Sequence, residues 1–244
     1  MRNNEVKNFY NTVIGTVYQD SYEHERWFSS PLRKAQYAMT KRALHRVLFP
    51  IMPDANQILE IGPGAGTWTA ELLKEFPRAE FTLLDISREM LALSRKRFSD
   101  NASFTFIEED LLIFTPSKKF DLLFASRIIE YIADKDRVAK KCAALLAPGG
   151  IGYVVTKMPH YRRARLLGRT TADFHSTQIS PWKLRDHFEA NGCKVIKITG
   201  VTFAFPLLKS AQINRLVAKM LGCKALGPIT ALFAESYAIL FEKL

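Results

Sequence analysis

Cysteine is scarce in this chain: three among 244 residues, at Cys142, Cys193 and Cys223, widely spaced and odd in number. Neither a disulfide framework nor a zinc knuckle fits that pattern, so all three are expected to be reduced and mostly packed. Long apolar runs are missing too. No stretch approaches the roughly 18 residues of a membrane span, and Met1 to Asp20 mixes Arg, Asn, Glu and Lys with aromatics where a leader would carry an apolar core. Together these absences lead to the expectation of a cytoplasmic protein. Repeats and low-complexity tracts are absent as well. Acidic residues are the third shortage, since 24 Asp and Glu against 35 Lys and Arg leave a formal charge of +11. The excess gathers at Arg33-Lys34, Lys41-Arg42, Arg95-Lys96-Arg97, Lys118-Lys119 and Arg162-Arg163-Ala164-Arg165. Nucleic acid, an anionic membrane surface and an acidic small substrate all fit a field of this sign, and so do plain solvated helix faces.

What is present suffices for a core. With 48% apolar residues, the chain is long enough for one substantial α/β domain carrying a helical appendage. After a mixed first thirty residues, Ser29-Ser30-Pro31 supplies a hydroxyl cap and a proline at the first helical position. A helix to about Phe49 follows, with Leu32, Ala35, Met39, Ala43 and Val47 on one side, and Pro50 and Pro53 end it. Strand and helix signals then alternate: strand 57–61, helix 67–75, strand 80–84, helix 87–98, strands 103–107 and 120–125, helix 136–146 and strand 151–156. Such alternation means a parallel sheet covered by helices on both faces. Residues 1–50 read as an N-terminal helical cap or lid, and 51–244 as the main domain, with an insertion at about 157–180. A helix near 182–190, a strand near 194–204, an amphipathic helix over about 206–221 and a strand from Ser236 complete the chain, and the last two strands can pair antiparallel.

The most informative segment is Glu60-Ile61-Gly62-Pro63-Gly64-Ala65-Gly66, where an apolar strand stops at a turn built of small residues. Glycine has no Cβ, so Gly62, Gly64 and Gly66 can adopt positive φ and let main-chain N–H groups approach a ligand. A carboxylate at Glu60 repels a pyrophosphate and attracts a cation. Gly-x-Gly with Asp85 some twenty residues on also fits a dinucleotide fingerprint, but the third glycine would then be expected at position 67, which is threonine.

Four segments in order resemble the class I S-adenosylmethionine-dependent methyltransferases, from about Ile58 to Thr156. They are the glycine-rich Glu60–Gly66, Leu83-Leu84-Asp85-Ile86, Glu108-Glu109-Asp110-Leu111, and Phe120–Ser126 followed by Leu146-Ala147-Pro148-Gly149-Gly150. The resemblance implies a Rossmann-like seven-stranded sheet and S-adenosylmethionine as cofactor. It implies that the glycine loop cradles the methionine part while Glu60 supports loop and amino group. It further implies that Asp85 accepts both ribose hydroxyls, that Ile86 lies on the adenine, and that Asp110, flanked by Glu109 and Leu111, accepts the adenine amine. Vicinal hydroxyls call for a bidentate acceptor, and open α/β sheets bind ligands at the carboxyl ends of their strands.

In this family the segment after the fourth strand faces the transferred methyl. Here it reads Ser126-Arg127-Ile128-Ile129-Glu130-Tyr131, without the Asn/Asp-Pro-Pro-aromatic tetrad of amino-group enzymes and without a Pro-Cys nucleophile. No convincing carboxylate cluster for magnesium is present. The remaining expectation is a metal-independent enzyme for a small-molecule or lipid-like acceptor, with Arg127 as an anion clamp and His175, Glu130 or Tyr131 as candidate bases. The aromatic N-terminus, including Tyr10, Tyr22 and Trp27, suits a lid, and the 206–221 helix suits either an anionic membrane surface or core packing. A nucleic-acid methyltransferase or binding module using the basic clusters, and a non-catalytic scaffold, are the alternatives. Monomer and dimer both remain open.

Overall fold

The computed structural model describes residues 2–18, 21–99, 101, 103–159, 177–203 and 234–244. The basic 162–165 segment, His175, the 206–221 stretch and Cys223 lie outside the described residues. The mixed N-terminal stretch forms helices: α1 spans Arg2–Val13, a π-helical turn Ile14–Tyr18 and α2 Tyr22–Trp27. Helix α3, Pro31–Ala43, starts as expected, with the Ser30 side chain accepting the Arg33 N–H and proline at its first position. It runs into a π-helical segment, Leu44–Leu48, that buries Leu44, Val47 and Leu48.

The sheet has seven strands in the order β3-β2-β1-β4-β5-β7-β6. In chain order the elements are β1 Gln57–Ile61, α4 Thr67–Glu75, β2 Glu80–Asp85, α5 Arg88–Phe98, β3 Phe104–Glu108, β4 Phe120–Ser126, α6 Lys135–Leu145, β5 Leu146–Lys157, α7 Pro181–Ala190, β6 Cys193–Thr202 and β7 Ser236–Lys243. Strands β1 to β5 are parallel, and β7 is antiparallel to both β5 and β6. The alternation of side chains sorts the core into two layers. Leu59, Ile61, Leu123 and Val154 face α6 and α7, while Ile58, Leu83, Phe124 and Tyr153 face α4, α5 and the π-helical segment. Each fully buried Leu, Ile or Phe contributes about 1.5–3 kcal/mol, so both helical layers are held mainly by apolar burial.

Strand β5 begins earlier than its apolar run at 151–156. Phe120 pairs with Leu146 and Leu122 with Ile151, so Ala147–Gly150 bulge from the ladder. Gly150 is required there, because a Cβ would stand 2.8 Å from the Ala147 carbonyl oxygen and 2.9 Å from that of Phe120. Cys142 and Cys193 are buried free thiols. Among the described residues no helix is long and apolar enough to cross a membrane.

Candidate active site

Parallel pairing of Ile61 with Leu84 and Ala125, and of Asp85 with Glu108, brings the carboxyl ends of β1, β2, β3 and β4 to one edge. A cavity of about 690 Å³ opens there. The three glycines of the loop have φ of +68°, +59° and +75°, each for a different neighbour. A Cβ on Gly62 would lie 2.0 Å from Ile128 Cδ1, and one on Gly66 would lie 2.4 Å from Phe98 Cε2. Gly64 differs, for its Cβ would point into open space with Tyr22 Cε1 3.9 Å away. Gly62 and Gly64 line the cavity, while Gly66 starts α4 against the Phe98 ring and lies off the lining. The Ser94 hydroxyl donates to the Gly64 carbonyl at 2.6 Å and pins the turn.

Glu60 sits beneath this loop, 1% exposed. Its Oε2 accepts the Thr69 hydroxyl at 2.6 Å. Burial, aided by the Asp85 charge and opposed by that hydroxyl, pushes its carboxyl up to about 8. Glu60 is therefore a support under the loop and does not line the cavity. Asp85 does line it, and its Oδ1 accepts the Ser87 N–H at 2.9 Å. Burial raises the Asp85 carboxyl to about 6 although the N–H groups of Ser87, Gly64 and Ile86 favour its charge. Ile86, Asp110 and Leu111 lie on the same wall. Asp110 Oδ1 accepts the Leu112 N–H at 2.9 Å, and the Glu109 N–H donates to the Asp85 carbonyl at 3.1 Å, which ties the two acidic loops together.

On the other side of β1, Ser126, Arg127, Glu130 and Tyr131 all line the cavity. Arg127 is the one non-glycine residue with positive φ among the described residues, at +67°, and its N–H donates to the Val155 carbonyl at 2.8 Å. Its Nε stands 3.7 Å from Glu130 Oε1, and the other oxygen of that fully buried carboxylate accepts the Thr156 hydroxyl at 2.9 Å. The Tyr131 hydroxyl lies 3.1 Å from that of Tyr10, and burial raises both phenols. A raised phenol is a poor base near neutral pH. His175, the other candidate base, lies outside the described residues.

The N-terminal helices roof the cavity. Tyr10 comes from α1, and Tyr22, Arg26 and Trp27 from α2. Polar contacts hold the roof down. Lys7 donates to Glu108 at 2.7 Å, Ser87 to Asn11 at 2.7 Å and Thr67 to Glu23 at 2.9 Å, while Arg97 pairs with Glu23 at 2.9 Å. Two cationic cavity residues have no signal in the sequence pattern: Arg26, within the charged run Glu23-His24-Glu25-Arg26, and Lys157, the last residue of β5.

Residues 59–151, which build the glycine loop and the acidic wall, match a protein family described as a methyltransferase domain. Over 93 residues the chain is 37% identical to malonyl-acyl-carrier protein O-methyltransferase 1 of Ilyobacter polytropus, covering 38% of this chain and 35% of that protein. Over 160 residues it is 27% identical to trans-aconitate 2-methyltransferase of Variovorax paradoxus, covering 64% of this chain and 58% of that protein. Both matches thus span less than two thirds of the relative's own length. The magnesium protoporphyrin IX methyltransferase of Synechocystis PCC 6803 with bound S-adenosylmethionine has the same fold, with a TM-score of 0.66 at 10% identity over 100% of this chain and 98% of that one. The family match falls on the very strands and loops whose ends enclose the cavity, so over residues 59–151 the chain is similar to methyltransferase domains.

Proposed function

We propose that the protein transfers the methyl group of S-adenosylmethionine to a small-molecule acceptor. The observation that carries this reading is the convergence of Gly64, Asp85 and Asp110 on one cavity. Gly64 leaves free, within that cavity, the space a Cβ would fill. Relatives named for malonyl-acyl-carrier protein and trans-aconitate support an acceptor other than nucleic acid. The roof of α1 and α2, bonded to the main domain at several points, supports a small acceptor over a polymer, and we read residues 1–50 as the lid of the site.

When bound, S-adenosylmethionine supplies a methyl carbon already activated by a sulfonium leaving group. The protein's own work is then alignment and exclusion of water. In this reading Asp85 holds the ribose hydroxyls, Ile86 and Leu111 sandwich the adenine, and Asp110 accepts its amine. The loop of Gly62 and Gly64 lets the cofactor approach the main chain closely, with Glu60 bracing it from below. Ser126, Arg127 and Tyr131 face the acceptor. Glu130 orients Arg127 and is a positioning residue, since both its oxygens face other side chains of the protein.

Calorimetric titration with S-adenosylhomocysteine tests the assignment. Replacing Asp85 with alanine removes charge-assisted bonds of about 1.5–3 kcal/mol each, so affinity is expected to fall by at least tenfold. Equal affinity of the Asp85→Ala variant and the wild type refutes it.

A further inference from the structure

Cations crowd the β4–β5 side of the cavity, the side away from the acidic loops of β2 and β3 in the sheet order. Arg127 follows β4, Lys157 ends β5, and Arg26 reaches over from α2. Arg33, whose guanidinium donates to the Arg26 carbonyl at 3.3 Å, stands at the same wall. The carboxylates here are Glu130 and Glu235. The first accepts the Thr156 hydroxyl, and the second accepts Gln36 Nε2 at 2.7 Å. Positive charge therefore outnumbers negative on this wall.

Geometry adds a second observation. Arg127 Nη1 is buried and has no hydrogen-bond partner, and its approach to Glu130 is a long 3.7 Å from Nε. Glu130 Oε1 is likewise without a hydrogen-bond partner, so the loose pair leaves Arg127, a residue of the cavity lining, with unused donor capacity. The cations also oppose one another. Burial, followed by the Arg127 charge, lowers both the Arg26 guanidinium and the Lys157 ammonium, while Glu130 and Glu235 act the other way on Lys157.

We propose that Arg26, Arg127 and Lys157 form an oxyanion subsite, and that the methyl acceptor is a small organic anion whose carboxylate or phosphate group sits on them. The inference rests on the reading of the cavity as a methyl-transfer site and names its acceptor class. Planar guanidinium groups match either oxyanion in two-point contact, and Lys157 adds a point charge. Arg26 comes from the lid, so the bound anion also fastens α2 to the ends of β4 and β5.

The test uses full-length protein saturated with S-adenosylhomocysteine, titrated calorimetrically with succinate, with inorganic phosphate and with neutral succinamide at matched ionic strength. Binding of succinate or phosphate but not succinamide supports the subsite, and the tighter of the two anions identifies the group it is built for. Arg127→Asn, which suits the positive φ, and Lys157→Gln are each expected to weaken anion binding at least tenfold, with S-adenosylhomocysteine affinity changed less than twofold. Should Arg127→Asn fail to fold, Lys157→Gln and Arg26→Gln decide. Succinate and phosphate both behaving like succinamide, or binding the variants as tightly as the wild type, overturns the proposal. Failure of S-adenosylhomocysteine to bind refutes the cofactor reading instead, and the same anion titrations on the unliganded protein then judge the subsite alone.

Discussion

Replacing Glu60 with glutamine is expected to stabilise the protein at neutral pH and to flatten its stability against pH. The carboxyl ordinarily titrates near 4.5 and is pushed up to about 8 in the fold, chiefly by burial. A folded state that binds the proton more tightly than the unfolded chain has its full stability below about 4.5 and loses it as pH rises toward 8. At about 1.4 kcal/mol per pH unit, the loss by pH 7 is about 3 kcal/mol. Glutamine has nearly the same shape, still accepts the Thr69 hydroxyl and carries no charge to desolvate. Urea unfolding of both proteins at half-unit steps from pH 5 to 8.5 measures the difference. Asp85, raised to about 6, adds a slope of the same sign in both proteins. Parallel stability curves for variant and wild type refute the claim that a buried, proton-holding carboxyl braces the loop.

The glycines make separable predictions. Gly64→Ala meets no atom closer than 3.9 Å, so folding is expected to cost only about 1–2 kcal/mol for a left-handed alanine, while S-adenosylhomocysteine affinity falls at least tenfold in calorimetry. Gly62→Ala drives a Cβ to 2.0 Å from Ile128 and is expected to lower the thermal midpoint more than Gly64→Ala does, as differential scanning fluorimetry reads. Gly152→Ala sets a Cβ 2.1 Å from the Phe241 ring, which is already stacked on Phe188 at 3.9 Å and has no room to retreat. A loss of about 1–3 kcal/mol in urea unfolding is expected, partly restored by a second change, Phe241→Leu.

Much of the sheet was legible because its signals are local. The apolar runs at 57–61 and 80–84, the turn of small residues between Ile61 and Thr67, and the acids at 85 and 110 each declare themselves within a few residues. What escaped depends on partners distant in sequence. Strand β5 starts at Leu146 only because Phe120 is there to pair with it, across a bulge that no periodicity announces. Helices α1 and α2 are anchored in good part by single polar contacts such as Lys7 to Glu108 and Glu23 to Arg97, which leave little apolar stripe to read. Arg26 and Lys157 are ordinary surface-type residues until the fold brings them together beside Arg127. Glu60, expected to support both the loop and the ligand's amino group, lies under the loop and off the cavity lining because its place in β1 points it toward Thr69 of α4.

Strand β7 occupies the slot between β5 and β6 and runs against both. During synthesis β6 leaves the ribosome first and waits, its ladder partner still untranslated, while β5 keeps a bare flank of N–H and C=O groups. A nascent chain stalled before Ser236 thus holds a five-stranded parallel half-product with a second bare margin at β5 and one stray ribbon, a species open to mispairing.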